Sequence, residues 1–188
     1  MTNDNTPVPP PARAWLCLDC QLTGGGASLC RASDGAHTFE LLASAYLSED
    51  ADHRHRAIDC VGEMVLAAPA QAVDFVIVAC AQAASLAELC LIAAGPLEDL
   101  LEAHGSLVIA HLEKVAKIDP RFRLMLSGTW GGNRIDPDVW TRLSAAVAPG
   151  PVIDADPRSP ARGLTTKIAT TADLTALFAP APSAGRRH

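Results

Sequence analysis

The stretch that decides the fold runs from Ala94 to Trp140. It reads AGPLEDLLEAHG (94–105), DPRFR (119–123), a tryptophan at 130 and DPDVW (136–140). Gly95 directly before Pro96 predicts a corner, because glycine commonly follows the end of one helix and proline commonly opens the next. Asp before Pro, which occurs twice, supplies a capping carboxylate and a first helical residue that needs no backbone N–H. The stretch therefore predicts short helices in tight succession.

Other boundaries follow from the same signals. Ser85 and Glu88 have the S-x-x-E spacing of a capping box, which predicts a helix start at this point. Gly105 is predicted to end the helix that Pro96 opens. The helix that opens at Asp119–Pro120 is predicted to carry Trp130, with a break at the glycines that follow.

Apolar residues at helical spacing extend the pattern toward the N-terminus. They form two predicted faces, Phe39, Leu42, Ala43, Tyr46 and Leu47, then Ile58, Val61, Met64, Val65 and Ala68. Residues 70–83 are apolar almost all round, which predicts a central and buried helix.

These patterns predict an all-α fold, an irregular array of six to eight short antiparallel helices with disordered N- and C-terminal tails. Residues 1–12 are polar, proline-rich and predicted to be disordered. Residues 13–36 form a weakly structured lead-in rich in Cys and Gly, and residues 37–147 form the helical domain. Residues 148–188 are predicted to be a mostly disordered tail rich in Pro and Ala.

Composition and charge exclude several classes of protein. The chain has 188 residues and a formal net charge of −6, and residues 37–147 hold 15 acidic against 8 basic side chains. Such a body repels phosphate backbones, so we expect no nucleic-acid partner. The longest uncharged apolar piece, residues 75–87, is shorter than the roughly 18 to 20 residues of a membrane span. The first residues lack the basic start and apolar region of a secretory signal, so we expect none.

A candidate metal site lies in the lead-in. Cys17, Cys20, Cys30 and His37 have the residue types of a four-ligand zinc site. A second paired knuckle is missing, and three further cysteines lie on apolar helical faces, where Cys acts as a small hydrophobe. Packing is therefore the favoured role, no cofactor is expected, and zinc binding remains an alternative.

The densest set of titratable residues is Glu98, Asp99, Glu102 and His104. A carboxylate near an imidazole can perform acid–base chemistry, which makes a hydrolase-like enzyme using Glu98, Asp99 or His104 an alternative. Acids at a helix start and a histidine at its end are also what the helix dipole favours. The spacing predicts that Glu98 and Glu102 face outward together, with His104 on another side. We favour a structural role, and a partner-binding surface second.

Two tryptophans lie in this otherwise aliphatic region. Trp130 and Trp140 are predicted to be buried anchors of helix packing, and a partly exposed tryptophan that acts as a binding hot spot is the alternative.

The pattern over residues 70–143 resembles a family of bacterial domains without an assigned function. The residues that carry the resemblance are the A-G-P-L-E-D-L-L run, His104–Gly105, D-P-R-F-R, Trp130 and Val139–Trp140. The resemblance implies a cytoplasmic, all-helical, bacterial protein and supplies no catalytic residues.

The function expected from these observations is a non-enzymatic, acidic helical module that binds a protein partner, in an adaptor- or immunity-like role. The candidate partner-binding residues are Glu98, Asp99, Glu102, His104, Trp130 and Trp140.

Overall fold

The all-α fold predicted from the sequence is confirmed. The computed structural model describes residues 39–154, 159–161 and 167–179. The α-helices in this part of the chain are α1 (Phe39–Tyr46), α2 (Ala51–Ala67), α3 (Pro69–Gln82), α4 (Leu86–Ile92), α5 (Glu98–Ile118), α6 (Pro120–Leu126), α7 (Pro137–Val147) and α8 (Thr171–Phe178).

The helix starts follow the predicted capping signals. Asp119 and Asp136 precede Pro at the first positions of α6 and α7, and each carboxylate accepts hydrogen bonds from two backbone N–H groups of the first turn. At α4, the Ser85 hydroxyl accepts from the backbone N–H of Glu88, 3.2 Å away. The Glu88 carboxylate accepts from the N–H of Ala84 at 2.7 Å, so the box closes one residue earlier than in the usual arrangement.

The corner at Gly95 is a kink without a loop. Residues Ala93–Leu97 form a single π-helical turn between α4 and α5, and Gly95 has non-helical angles (φ −113°, ψ −110°). A Cβ at this position would lie 2.7 Å from the Tyr46 hydroxyl oxygen. Glycine is therefore required for the tyrosine of α1 to lie against the kink.

The predicted helix end at Gly105 is wrong. Helix α5 continues through this residue to Ile118, with only a local kink at His104 (φ −139°, ψ 21°). Gly105 is buried, and a Cβ there would lie 2.9 Å from Cγ1 of Val139 on α7. The glycine therefore permits the close approach of two helices, because it has no side chain to separate them.

The core surrounds α3, as predicted. Its buried residues are Ala72, Val73, Phe75, Val76, Ala79 and Cys80. The Tyr46 ring meets the Phe75 ring edge-on, with 5.7 Å between centroids and 76° between planes.

One apolar face of α2 is rotated from the prediction. Ile58 is 42% exposed, whereas Ala57 and Cys60 are buried together with Val61, Met64 and Val65. The buried face of α2 therefore contains Ala57 and Cys60 in place of Ile58.

Segments of the region predicted to be a mostly disordered tail pack on the helices. Val152 pairs with Ile168 in an isolated parallel β-bridge and is only 1% exposed. The Ser127 hydroxyl accepts from the N–H of Ile153 at 2.9 Å, and the Ser127 carbonyl accepts from the Ser159 hydroxyl at 3.0 Å. The packed part of the chain therefore extends past the predicted domain boundary at residue 147.

Among the described residues, none of the helices combines the length and the apolar character that crossing a membrane requires.

Candidate functional site

Two carboxylates of the predicted titratable set, Glu98 and Glu102, form one ion-pair network with Arg134, which was not part of that set. Arg134, in the connection between α6 and α7, donates through Nη2 to Oε1 of Glu98 and through Nη1 to Oε2 of Glu102, the latter at 2.5 Å. Glu98 and Glu102 lie one turn apart at the start of α5, so a single guanidinium reaches both carboxylates. The network links this connection to the first turn of α5.

The prediction that Glu98 and Glu102 both face outward is wrong for Glu98. Its side chain is only 8% exposed, whereas that of Glu102 is 40% exposed. The second oxygen of Glu98, Oε2, accepts from the backbone N–H of Trp130 at 3.0 Å. A Cβ at Gly131 would lie 3.0 Å from Cγ of Glu98, so this glycine lets the connection cover the carboxylate.

Trp130 lies outside any helix, which corrects the expected extent of α6. That helix ends at Leu126, and Trp130 follows in the connection with 39% of its surface exposed. The prediction that Trp130 is buried is therefore wrong. Its side chain lies partly at the surface, and its backbone N–H donates to Glu98.

Trp140 is half-buried on α7 and packs against the same connection. A Cβ at Gly132 would lie 2.8 Å from Cζ2 of the indole, so the two glycines of this segment lie against Glu98 and Trp140 respectively. No local sequence signal points to Glu98 as the partner of Gly131, because the two residues are 33 positions apart.

Asp99 faces a different group from Glu98. It contributes to raising the pKa of Tyr46 to about 12, an effect in which burial of the phenol is the larger cause and the negative charge of Asp99 the smaller one. Partial desolvation also raises the pKa of Asp99 itself.

His104 has a third, separate partner. Its Nε2 lies 3.2 Å from the carbonyl oxygen of Leu66 at the end of α2. Because a carbonyl oxygen only accepts, Nε2 carries the proton in this bond. Glu98, Asp99 and His104 therefore interact with three different neighbours. None of these three residues lines either of the two cavities described below. This geometry gives the hydrolase-like alternative no support.

The D-P-R-F-R segment serves the fold. Arg121 donates to the carbonyls of Ala81 at 2.9 Å and Ala83 at 3.2 Å, at the end of α3. The same guanidinium donates through Nη2 to the carbonyl of Leu177 at 2.7 Å, and it lies 4.9 Å from the ring centroid of Phe178. One arginine thus satisfies carbonyls at the C-terminal ends of two helices and holds α8 on the domain.

Two surface cavities are lined in part by residues of the D-P-R-F-R segment. The first, of about 400 Å³, lies beside α8 and is lined by Asp119, Pro120, Arg121 and Leu177 together with two alanines. The second, of about 240 Å³, lies between α5, α6 and α7 and is lined by Glu113, Lys117, Arg123, Arg142 and small apolar residues.

Metal ligation has no candidate in the described part of the chain. No group of three or more His, Cys, Asp or Glu side chains there has the arrangement to hold an ion. The zinc candidates Cys17, Cys20, Cys30 and His37 lie outside the described residues, so that alternative remains a prediction. Burial raises the pKa of the Cys80 thiol to about 12, as befits a cysteine that packs as a small hydrophobe.

The comparisons with known proteins identify a family and no activity. The family model of DUF6869, a family of unknown function, matches residues 47–149. No curated protein and no solved structure is significantly similar to the chain. The matched residues run from the position after α1 through α7 and include Glu98, Trp130 and Arg134. The expected resemblance to a family without an assigned function is confirmed.

Proposed function

The chain belongs to DUF6869, a family of unknown function, and we propose that it is a non-enzymatic module that binds a protein partner. The proposed contact is the Trp130 surface, which we define as the exposed parts of Trp130, Glu102 and Arg134.

The observation that carries the proposal is an exposed tryptophan on a fixed backbone. Trp130 is 39% exposed, and its backbone N–H donates to the nearly buried carboxylate of Glu98. Interfaces obtain most of their binding energy from a few aromatic and arginine side chains. A side chain whose backbone is already positioned loses less conformational entropy on binding. Trp130 therefore has the properties of an interface anchor.

The charges around Trp130 favour a particular kind of partner. Glu102 is 40% exposed beside Arg134, and Glu98, Glu102 and Arg134 together carry a net charge of −1. The whole chain carries −6. A partner with basic residues around an apolar pocket would complement this surface in sign and accelerate association. Binding such a partner would fit an adaptor- or immunity-like role for this chain in the bacterial cytoplasm.

The test compares partner capture by matched variants of the full chain. The immobilised wild type, Trp130→Ala and Ile118→Ala are each incubated with lysate of the native host, and bound proteins are quantified by mass spectrometry. Ile118 is 83% exposed at the last position of α5, which makes it a control for loss of exposed apolar surface. We expect the wild type and Ile118→Ala to retain the same partner reproducibly. Trp130→Ala should retain less of it, because the affinity of the partner for this variant is lower by about tenfold or more.

Two results would contradict the proposal. One is the absence of any reproducible partner. The other is equal retention of the partner by Trp130→Ala, provided that its circular dichroism and thermal unfolding match those of the wild type.

A further inference from the structure

The second cavity, which we call the cationic pocket, has a charge opposite to that of the molecule as a whole. Three cations line it, Lys117 from α5, Arg123 from α6 and Arg142 from α7, against one carboxylate, Glu113. The pocket therefore carries +2 in a chain of net charge −6. Small residues such as Ala146 and Pro149 complete the lining and leave the volume open.

The Glu113 carboxylate is already used by one of the three cations. Arg142 donates through Nε to Oε1 of Glu113 at 2.8 Å and through Nη2 to Oε2 at 2.7 Å. This bidentate pair holds the Arg142 guanidinium in one orientation at the edge of the pocket. With Arg142 paired to Glu113, the excess charge of +2 in the pocket is that of Lys117 and Arg123.

Arg123 is held in place without an acidic partner. Its Nη1 donates to the carbonyl of Ala116 at 3.2 Å, and its buried Nε–H has no acceptor among the described residues. A Cβ at Gly150 would lie only 2.5 Å from that Nε, so Gly150 closes over the guanidinium. Buried donors are normally paired, which makes an unpaired one on a charged group notable.

The helix dipole accounts for only part of this charge. Lys117 lies in the last turn of α5 and Arg123 in the last turn of α6, where cations are favoured. Each helix C-terminus carries about half a negative charge, so these two together supply about one. That is too little to balance an excess of two positive charges in a pocket shared by three helices.

We infer that the cationic pocket binds a phosphate group as a dianion. Two negative charges match the excess of two, and guanidinium groups present donors in the geometry that phosphate oxygens accept. The volume of about 240 Å³ is below the roughly 300–1,000 Å³ of pockets that enclose drug-sized ligands, so the ligand is free phosphate or a small phosphate monoester. This inference does not depend on the proposed protein partner.

The experiment is a titration of the full chain by isothermal calorimetry at constant ionic strength. Inorganic phosphate and glycerol phosphate are titrated in parallel, with sodium chloride as the blank. We expect saturable binding of at least one phosphate, and tighter binding of one of the two identifies whether the ligand is free or esterified. Saturable binding of neither would overturn the inference.

Matched lysine variants test the location. Lys117→Met removes a cation of the pocket, and Lys114→Met removes the same charge from the same helix outside the lining. Both side chains are exposed, so both variants are expected to fold. We expect Lys117→Met to weaken phosphate binding about tenfold, which corresponds to about 1.4 kcal/mol, and Lys114→Met to change it less than about twofold. An equal effect of the two substitutions would show unspecific charge attraction and overturn the site.

Discussion

Tyr46 shows how one residue connects the first helix to the kink before α5. Its ring packs edge-on against Phe75, its hydroxyl lies against Gly95, and the charge of Asp99 acts on the same phenol. Burial and a nearby negative charge both disfavour the phenolate. The neutral phenol is therefore part of the folded structure.

The ionisation of Tyr46 can be measured in isolation, because it is the only tyrosine of the chain. We expect its phenolate absorbance to appear near pH 12 and not near the ordinary value of 10.0. A folded-state pKa above the unfolded value means that stability is fully present below pH 10 and is lost as pH rises through about 12. Spectrophotometric titration checks this. Ionisation near 10 in the folded protein would contradict it, and Tyr46→Phe controls for absorbance from other groups.

At the residue scale, the sequence predicts interactions that span a few positions. The caps at Ser85, Asp119 and Asp136 could be predicted because donor and acceptor are within four residues. Glu98 and Arg134 are 36 positions apart, so nothing local distinguished the buried carboxylate from a solvated one. The burial of Glu98 depends on the connection that folds over it.

At the scale of elements, the crossing of α5 and α7 depends on Gly105. The sequence predicts a helix end at this residue, because glycine commonly follows the C-terminus of a helix. Its Cα instead lies against Val139, in a contact too close for a side chain. A single sequence does not distinguish these two uses of glycine, since the contact partner is on another helix.

Two glycine-to-alanine substitutions separate helix propensity from packing. Gly62 lies inside α2, and a Cβ added there would meet nothing within 4 Å, so Gly62→Ala should stabilise the protein by about 0.5–1 kcal/mol. Gly105→Ala gains the same propensity but forces Val139 away, and we expect a net loss of about 1–3 kcal/mol. Urea denaturation of both variants measures the two free energies of unfolding. Equal effects would contradict the close crossing.

At the scale of the whole molecule, the packed unit is longer than the family match. The match ends at residue 149, yet Val152 is buried, and Ser127 bonds to both Ile153 and Ser159. Arg121 contacts Leu177, 56 positions later, which no local pattern could predict. The all-α class was predictable from helical spacing, whereas the docking of the proline-rich segments depends on these distant contacts.

Shortening the chain tests this extension. We expect a chain that ends at residue 149 to unfold with a free energy lower by about 2 kcal/mol or more than one that ends at residue 179, since burying a valine fully contributes about 1.5–3 kcal/mol. Chemical denaturation of both chains measures the difference. Equal stability would mean that the segments after residue 149 contribute nothing.

The two ends of the described chain meet at one pole of the molecule. Gln82, the last residue of α3, donates to the carbonyl of Glu40 on α1 at 3.1 Å, and Arg121 joins Ala81 and Ala83 to Leu177 on α8. The first and last helices of the described chain, α1 and α8, therefore both lie near the C-terminal end of α3. A unit that begins with α1 and ends with α8 can therefore be inserted into a surface loop of another protein, because its first and last helices lie close together.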